Sequence, residues 1–366
     1  MQVIICGAGQ VGSNIARYLS GEDAEITIID QSPELIHKIV DSLDVKGLVG
    51  FASHPDVLER AGARDADMVI AVTYADEVNM VACQICHSLF DVPTKIARVR
   101  NQSYLAPLWS DLFSRDHMPI DVVISPEIEV ARAIERRLRI PGAFEVIPLA
   151  DGKVNLIGVH CTEECPILNT PLRQLTDLFP DLHIAVVGIS RGDRGFVPSA
   201  DDEMLPGDNV YFVAETEHLN RAMAAFGHEE QEARRVIVVG GGNIGLYLTK
   251  MVEEGHRHVH PRLIEIDKKR AEFVAQALER SVVIHGNALD TDILEEVNVR
   301  QAETLIAVSN DDEVNILSSL LAKRLGCRRA ITLINKTTYA PLIGTVDTAD
   351  EALGFLRRNP PIPAHR

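Results

Sequence analysis

The amino-acid sequence predicts an α/β protein with two doubly wound parallel sheets and a small α+β module between them. Three observations carry that expectation: a long internal repeat, a glycine-rich turn leading from an apolar run into an amphipathic stretch in each copy, and a strand-rich texture in the segment between the copies. A repeat of this length decides the architecture before any single motif does, because each copy is one folding unit used twice.

The repeat is extended and ordered. "VIICGAGQVGSNIARYL" from Val3 aligns with "VIVVGGGNIGLYLTKMV" from Val236, and "EITIIDQSPELIHKI" matches "PRLIEIDKKRAEFVA". "GFASHPDVLERAGARDADMVIAVTYADEVNM" from Gly50 then aligns without a gap with "GNALDTDILEEVNVRQAETLIAVSNDDEVNI" from Gly286. In the first copy, strands are expected over Val3 to Cys6, Ile26 to Ile29, Lys46 to Val49, Met68 to Val72 and Ile96 to Val99. Short β-rich runs separated by helical patterns imply βαβ units, and right-handed crossovers make the doubly wound sheet the economical topology.

From Phe144 to about Ala225 the texture changes. "FEVIPLADGKVNLIGVHC", "HIAVVGISRGDRGFVPSA" and "DNVYFVAETEHL" are strand-like, with "ADG", "RGDRG" and "LPGD" as turns, and the polar "GHEEQEARR" links this module to the second copy. The chain is thus divided into residues 1–143, 144–227 and 234–350, followed by a tail over 351–366. A length of 366 residues suits two or three such domains.

The glycine turns carry the chemistry. Gly7, Ala8, Gly9, Gln10, Val11 and Gly12 follow a strand and open a helix, as do Gly240, Gly241, Gly242, Asn243, Ile244 and Gly245. In this Rossmann-like context the glycines serve a tight turn, close approach of backbone to a pyrophosphate, and close helix-to-strand packing. The helix N-terminus adds unpaired N–H groups and the positive end of its dipole. Asp30 and Glu265, each about 20 residues beyond its turn at the end of the next strand, are placed to accept hydrogen bonds from ribose hydroxyls and to favour NAD over NADP. NADH, ATP and ADP carry the same adenosine ribose, so they remain open.

The repeated acidic segment, "VTYADEVNM" and "VSNDDEVNI", lies at the C-terminal end of a strand, where open α/β sheets bind ligands. Thr73-x-x-Asp76 and Ser309-x-x-Asp312 match a capping box, so the simplest reading of the acids is as helix caps. Direct ligand contact is assigned instead to Thr73 and Tyr74, and to Ser309 and Asn310, because carboxylates beside phosphates would repel. Arg98 and Arg100 of "IARVR" point to one side of a strand and could supply cations; the second copy reads "ITLIN", with Leu333 and Asn335 there. Two unequal sites are expected, the first tolerating more phosphate charge.

Other candidates have simpler explanations. Cys83 and Cys86 sit on an apolar helical stripe and are expected in the core, and Cys161 and Cys165 with His160 lack a second ligand pair for a metal. A net charge of −17, from 53 acidic and 36 basic residues, disfavours nucleic acid and anionic lipid as partners. No apolar run approaches the roughly 20 residues that span a bilayer, so direct membrane insertion is not expected. The start "MQVIICGAGQVG" lacks the features of a signal peptide, and six irregularly spaced cysteines suit a reducing, cytoplasmic compartment.

With "GAGQVG", "SHPDVLERAGARDADM", "DEVNM" and "MVACQ" in place, residues 1 to about 343 resemble the regulatory, nucleotide-binding subunits of Trk-type bacterial potassium uptake systems, built from RCK (KTN) domains. "IDVVISPE", Ile120 to Glu127, looks like the family's lead into a crossover helix. The resemblance implies that NAD(H), or in some members ATP or ADP, binds the Rossmann halves of a cytoplasmic homo-oligomer, a dimer or tetrameric ring. It further implies gating of a membrane-embedded potassium-translocating subunit and no catalysis, with the protein peripheral on the inner membrane through its partner. Residues 1–143 and 234–350 would be the N-terminal halves and 144–227 the first C-terminal half. After "YAPLIG" the pattern fails, and the second C-terminal half is expected to be absent. The alternative is an NAD-dependent oxidoreductase, motivated by the glycine fingerprint alone.

Overall fold

The computed structural model describes residues 1–22, 24–105, 107–178, 184–192, 194–229 and 233–335. The expected tail and the "YAPLIG" segment lie outside the described residues. The chain forms two compact units, Met1–Glu127 and a second beginning at Ile128.

The first unit contains β1 (Gln2–Cys6), α1 (Gln10–Leu19), β2 (Glu25–Asp30), α2 (Pro33–Val40), β3 (Lys46–Val49), α3 (Pro55–Arg60), β4 (Met68–Ala71), α4 (Asp76–Phe90), β5 (Thr94–Arg98) and β6 (Val122–Ile124). All strands run parallel in the order β3-β2-β1-β4-β5-β6. β1 is apolar from Val3 to Cys6 because a central parallel strand is covered on both faces. Val3, Ile5 and Ile28 face Ala16 of α1 and Ile36 and Ile39 of α2; Ile4, Cys6 and Ile29 face α3 and α4. Each valine or isoleucine among them taken fully from water contributes roughly 2 kcal/mol. Cys83 and Cys86 lie in the second of these cores as expected, and burial pushes the Cys86 thiol up to about 12.

The second unit begins within α5 (Pro126–Arg139) and continues through β7 (Ala143–Leu149), β8 (Val154–His160), α6 (Leu172–Leu178), β9 (Ile184–Arg191), β10 (Arg194–Phe196), β11 (Asn209–Glu215) and α7 (Leu219–Ala225). These strands form an antiparallel sheet, β10-β9-β11-β8-β7, cored by Ile157, Phe212 and Phe226, with the two phenylalanine rings stacked at 4.7 Å. At the expected "RGDRG" turn, Arg191 of β9 pairs opposite Arg194 of β10, and Asp193 lies outside the described residues.

Then follow β12 (Arg235–Val239), α8 (Asn243–Gly255), β13 (His260–Glu265), α9 (Lys268–Ala277), β14 (Val282–His285), α10 (Thr291–Glu296), β15 (Thr304–Ala307), α11 (Asp312–Arg324) and β16 (Arg329–Thr332). Their parallel order, β14-β13-β12-β15-β16, repeats that of the first unit strand for strand from β3 to β5. One face of this sheet is covered partly by α5, whose Ala131, Ile134 and Leu138 join Val236, Val238 and Ile306.

Strand ends differ slightly from expectation. β4 stops at Ala71 and β5 spans Thr94–Arg98, because the two pair from Met68 opposite Thr94 to Ala71 opposite Ala97. Val72 and Val99 lie just past the ladders.

Two glycines per turn are required by the fold. Gly7 and Gly240 take φ of +111° and +101°, where a side chain would be strained. A Cβ at Gly12 would lie 1.8 Å from the Gly7 carbonyl oxygen, and one at Gly245 would lie 1.9 Å from that of Gly240. Gly12→Ala is therefore expected to destabilise the first unit by about 2 kcal/mol or more in urea denaturation, as backbone must move to admit the methyl.

The antiparallel module has its own polar anchor. Buried Asp208 accepts from Arg191 Nε and Nη2 and from Leu205 N, each at 2.8 Å, and the Arg191 guanidinium holds its carboxyl below the usual range. A depressed folded value means that the stabilisation is complete above the unfolded value and is lost as pH falls through the folded one. Asp208→Asn should flatten that acid limb of the stability profile, measured by thermal melts in the acid range.

Candidate nucleotide-binding crevices

Each parallel sheet reverses its strand order at its first strand: β2 lies on one side of β1 and β4 on the other, as β13 and β15 flank β12. Open α/β sheets bind ligands at this switch point, outside the carboxyl ends. The residues there come from three loops.

The glycine turn is the first. Gly7 N donates to Ile29 O at 2.7 Å, which folds the turn over the end of β2. Asp30 then accepts from Ala8 N at 2.7 Å and from Ser32 N at 2.8 Å. The second copy repeats this: Gly240 N donates to Ile264 O at 2.9 Å, while Glu265 accepts from Gly241 N at 2.6 Å and Asp267 N at 2.8 Å. Each acid thus sits on the turn expected to receive phosphates. Each carboxylate oxygen has a further lone pair for a hydroxyl donor.

α1 and α8 start at Gln10 and Asn243 with Gly9 and Gly242 as N-caps, and neither cap makes a side-chain bond to the helix. Gly9 (φ −66°) and Gly242 (φ −61°) have backbone that any residue adopts, and a Cβ there would meet nothing within 4 Å. Folding therefore does not require glycine at these two positions. A pyrophosphate seated against bare backbone does.

The loop after β4 is the second element, and here the expected capping boxes do not form. α4 begins at Asp76 with Ala75 as its N-cap, so Thr73 stands outside the helix. Thr73 N and Oγ1 instead donate to Asn79 Oδ1 at 2.8 and 2.7 Å, and Asn79 Nδ2 donates to Thr73 O at 3.3 Å and Arg98 O at 2.9 Å. Asp76 accepts from Arg100 N and Asn101 N at 2.9 and 2.8 Å. In the second copy Ser309 N and Oγ donate to Asn315 Oδ1, both at 2.8 Å, and Asn315 Nδ2 donates to Ser309 O and Leu333 O, both at 3.0 Å. Asp312 accepts from Asn335 N, and the cap of α11 is Asp311, which accepts from Val314 N at 3.0 Å.

The acids Asp76 and Asp312 are thus caps of the loop after the next strand, and the asparagines are fully buried clamps. This accounts for the Asp and the Asn of Asp-Glu-Val-Asn in both copies. It leaves Tyr74, 86% exposed, and its exposed counterpart Asn310 as the outward side chains of the loop.

The loop after β5 is the third element. Arg98 and Arg100 do converge, as their spacing implies, but on Glu127: Arg98 Nη2 donates to Oε1, and Arg100 Nε lies 3.7 Å from it. The Arg100 guanidinium also stacks over Tyr74, 4.6 Å from the ring centroid. One carboxylate thus offsets part of this double charge. Sequence reasoning missed Glu127, the last residue of "IDVVISPE", because nothing local links it to "IARVR".

In the second copy Leu333 and Asn335 replace the arginines, yet a cation is present. Arg270 of α9 donates from Nε to Gly241 O at 2.6 Å, with Nη2 3.5 Å from Asn243 Oδ1. Its counterpart in the first copy is Leu35, so the matches between the two copies do not reveal it.

Geometry and sequence together define a tandem glycine-turn nucleotide fold with an antiparallel module between the copies. The TrkA-N domain model matches residues 3–126 and 236–353, and the TrkA-C domain model matches residues 156–227. The chain belongs to this TrkA family. It is similar to the Trk system potassium uptake protein TrkA of Azorhizobium caulinodans, at 52% identity over 340 residues, covering 93% of this chain and 74% of the relative. The protein of the same name in Halomonas elongata is 40% identical, with 95% and 76% covered. Among solved structures, the GsuK RCK domain superposes with a TM-score of 0.70 at 17% identity, covering 97% of this chain and 75% of that one. The GsuK channel bound to NAD gives 0.63 at 16%, covering 97% and 65%. At such identities the likeness shows the fold.

The buried clamps generate a stability expectation. Asn79→Ala and Asn315→Ala each remove four hydrogen bonds and strand buried backbone groups, so each should cost about 3 kcal/mol in urea denaturation. Asn79→Asp should be no better, because a carboxylate cannot donate to Thr73 O and Arg98 O.

Proposed function

We propose that the chain is the regulatory, non-catalytic subunit of a Trk-type potassium uptake system, and that both crevices bind adenine nucleotides to gate a membrane-embedded potassium-translocating partner. The observation that carries the reading is the pair Gly9 and Gly242, glycines that the fold does not need and a close-lying phosphate chain does. The groups around them fit such a ligand. Residues Gly7 to Gly12 and Gly240 to Gly245 would hold the phosphates against the close-lying backbone of the turns and the helix N-termini. Asp30 and Glu265 would accept from the ribose hydroxyls, a geometry that suits NAD(H), ATP and ADP alike. Thr73 and Tyr74, with Ser309 and Asn310, would border the adenosine side, and Arg98 and Arg100 would face the phosphates once drawn from Glu127.

Relatives named as potassium uptake proteins support the transport assignment. No helix among the described residues is long and apolar enough to cross a membrane. Coupling to transport would run through a membrane-embedded partner subunit, met at the cytoplasmic face. A homo-oligomer, dimer or tetrameric ring, would transmit the change. Residues 1–143 and 234–350 would act as the nucleotide halves and 144–227 as the C-terminal half of the first. A ligand gates only through differential affinity: moving a two-state equilibrium from 1:99 to 99:1 takes about 10⁴-fold preference.

Two substitutions test the site. Gly9→Ala should change stability by less than about 1 kcal/mol yet weaken NAD and ADP binding at least about tenfold by calorimetry, where a contact with phosphate is blocked. Asp30→Ala should weaken nucleotide binding and lower nucleotide-dependent potassium uptake. Unchanged binding and uptake in both variants would reject the assignment.

A further inference from the structure

The two crevices differ at one position that neither the repeat nor the family match brings out. Ser32 caps α2 by accepting from Leu35 N, and Asp267 caps α9 by accepting from Arg270 N, so Leu35 and Arg270 occupy the same place in the two copies. In the first copy that place carries an apolar side chain. In the second it carries a guanidinium that lies across the glycine turn, bonded to Gly241 O at 2.6 Å and reaching Asn243 Oδ1 at 3.5 Å.

Arg270 is held there rather than merely nearby. The Asp267 cap fixes its backbone at 2.7 Å, its side chain is half-buried, and its guanidinium stacks on Phe273, 4.9 Å from the ring centroid. A guanidinium has five N–H donors in a planar fork, and the two contacts to the turn leave several unengaged. Those donors lie beside the uncapped N-terminus of α8, which itself favours an anion. Guanidinium and phosphate form paired, charge-assisted bonds well suited to this geometry. Glu265 on the adjacent strand end would repel a phosphate on the ribose, so the phosphates addressed are those of the 5′ chain.

We infer that Arg270 is the phosphate-reading residue of the second crevice, making that crevice depend on the 5′-diphosphate of an adenine nucleotide more strongly than the first. The inference rests on the reading of both turns as nucleotide sites. It reverses the ranking suggested by the loss of arginines at Leu333 and Asn335. The second copy draws its cation from the helix after its second strand, whereas the first has Arg98 and Arg100 with Glu127 as their counter-ion.

The test is calorimetric titration of the full chain, wild type and variant, with ADP and separately with adenosine. Arg270→Leu installs the first copy's residue, and Arg270→Gln keeps a donor for Gly241 O while removing the charge. Both should weaken ADP binding at one of the two sites by about tenfold to a hundredfold, the range of a lost charge-assisted contact, and leave adenosine binding within about twofold. An unchanged ADP affinity in both variants, or an equal loss for ADP and adenosine, would overturn the inference while leaving the nucleotide reading intact. Absence of ADP binding to the wild-type chain would overturn both.

Discussion

A buried side-chain amide ties the carboxyl edge of each parallel sheet together. Asn79 reaches back to Thr73 and across to Arg98 O, and Asn315 does the same for Ser309 and Leu333 O. Without the amide, Thr73 N, Thr73 O and Arg98 O at the ends of the neighbouring strands β4 and β5 would lose these partners, as would Ser309 N, Ser309 O and Leu333 O in the second copy. Among short side chains only the Asn amide brings two N–H donors together with an acceptor oxygen, and all three are used there. Because the clamp is fully satisfied and dry, it fixes the loop after β4 relative to β5, and with it the wall of the crevice facing the glycine turn. The adjoining carboxylates, Asp76 and Asp312, extend that wall by holding the first N–H groups beyond the next strand.

The opposite wall is held by charge. Asp30 and Glu265 accept from backbone N–H groups of their own turns, so the acid assigned to the ribose is also the acid that shapes the phosphate loop. A nucleotide would compete with and add to those bonds rather than enter an empty cleft. That gives a ligand the means to bias the turn's geometry, which regulation requires and simple binding does not.

Duplication made the two crevices alike in backbone and left them free to diverge in charge. The first gathers two guanidiniums on Glu127, at the start of the helix that leads out of the unit. The second has lost that pair and carries Arg270 on its turn instead. With nucleotides bound as proposed, equal folds with different cations would let one chain respond to two nucleotides, or to one nucleotide at two concentrations.

The doubly wound parallel sheets, the glycine turns, the placing of Asp30 and Glu265 at strand ends and the core positions of Cys83 and Cys86 were legible in the sequence. Each is written in a local period or spacing, and the repeat states it twice. The Asp-Glu-Val-Asn segment stands out in the sequence, but its spacing suggests a helix cap rather than its actual bonds, because its partners, Arg98 O and Arg100 N, belong to another strand and the loop after it and have no local mark. The same reason hid Glu127 behind Arg98 and Arg100, and Arg270 over Gly241. By itself the sequence determined which elements form and where their ligand-facing ends lie, since periodicity and turn chemistry act over a few residues. Only the tertiary structure decided which charges are neutralised and which reach the turns, since those bonds join residues brought together by the parallel sheet.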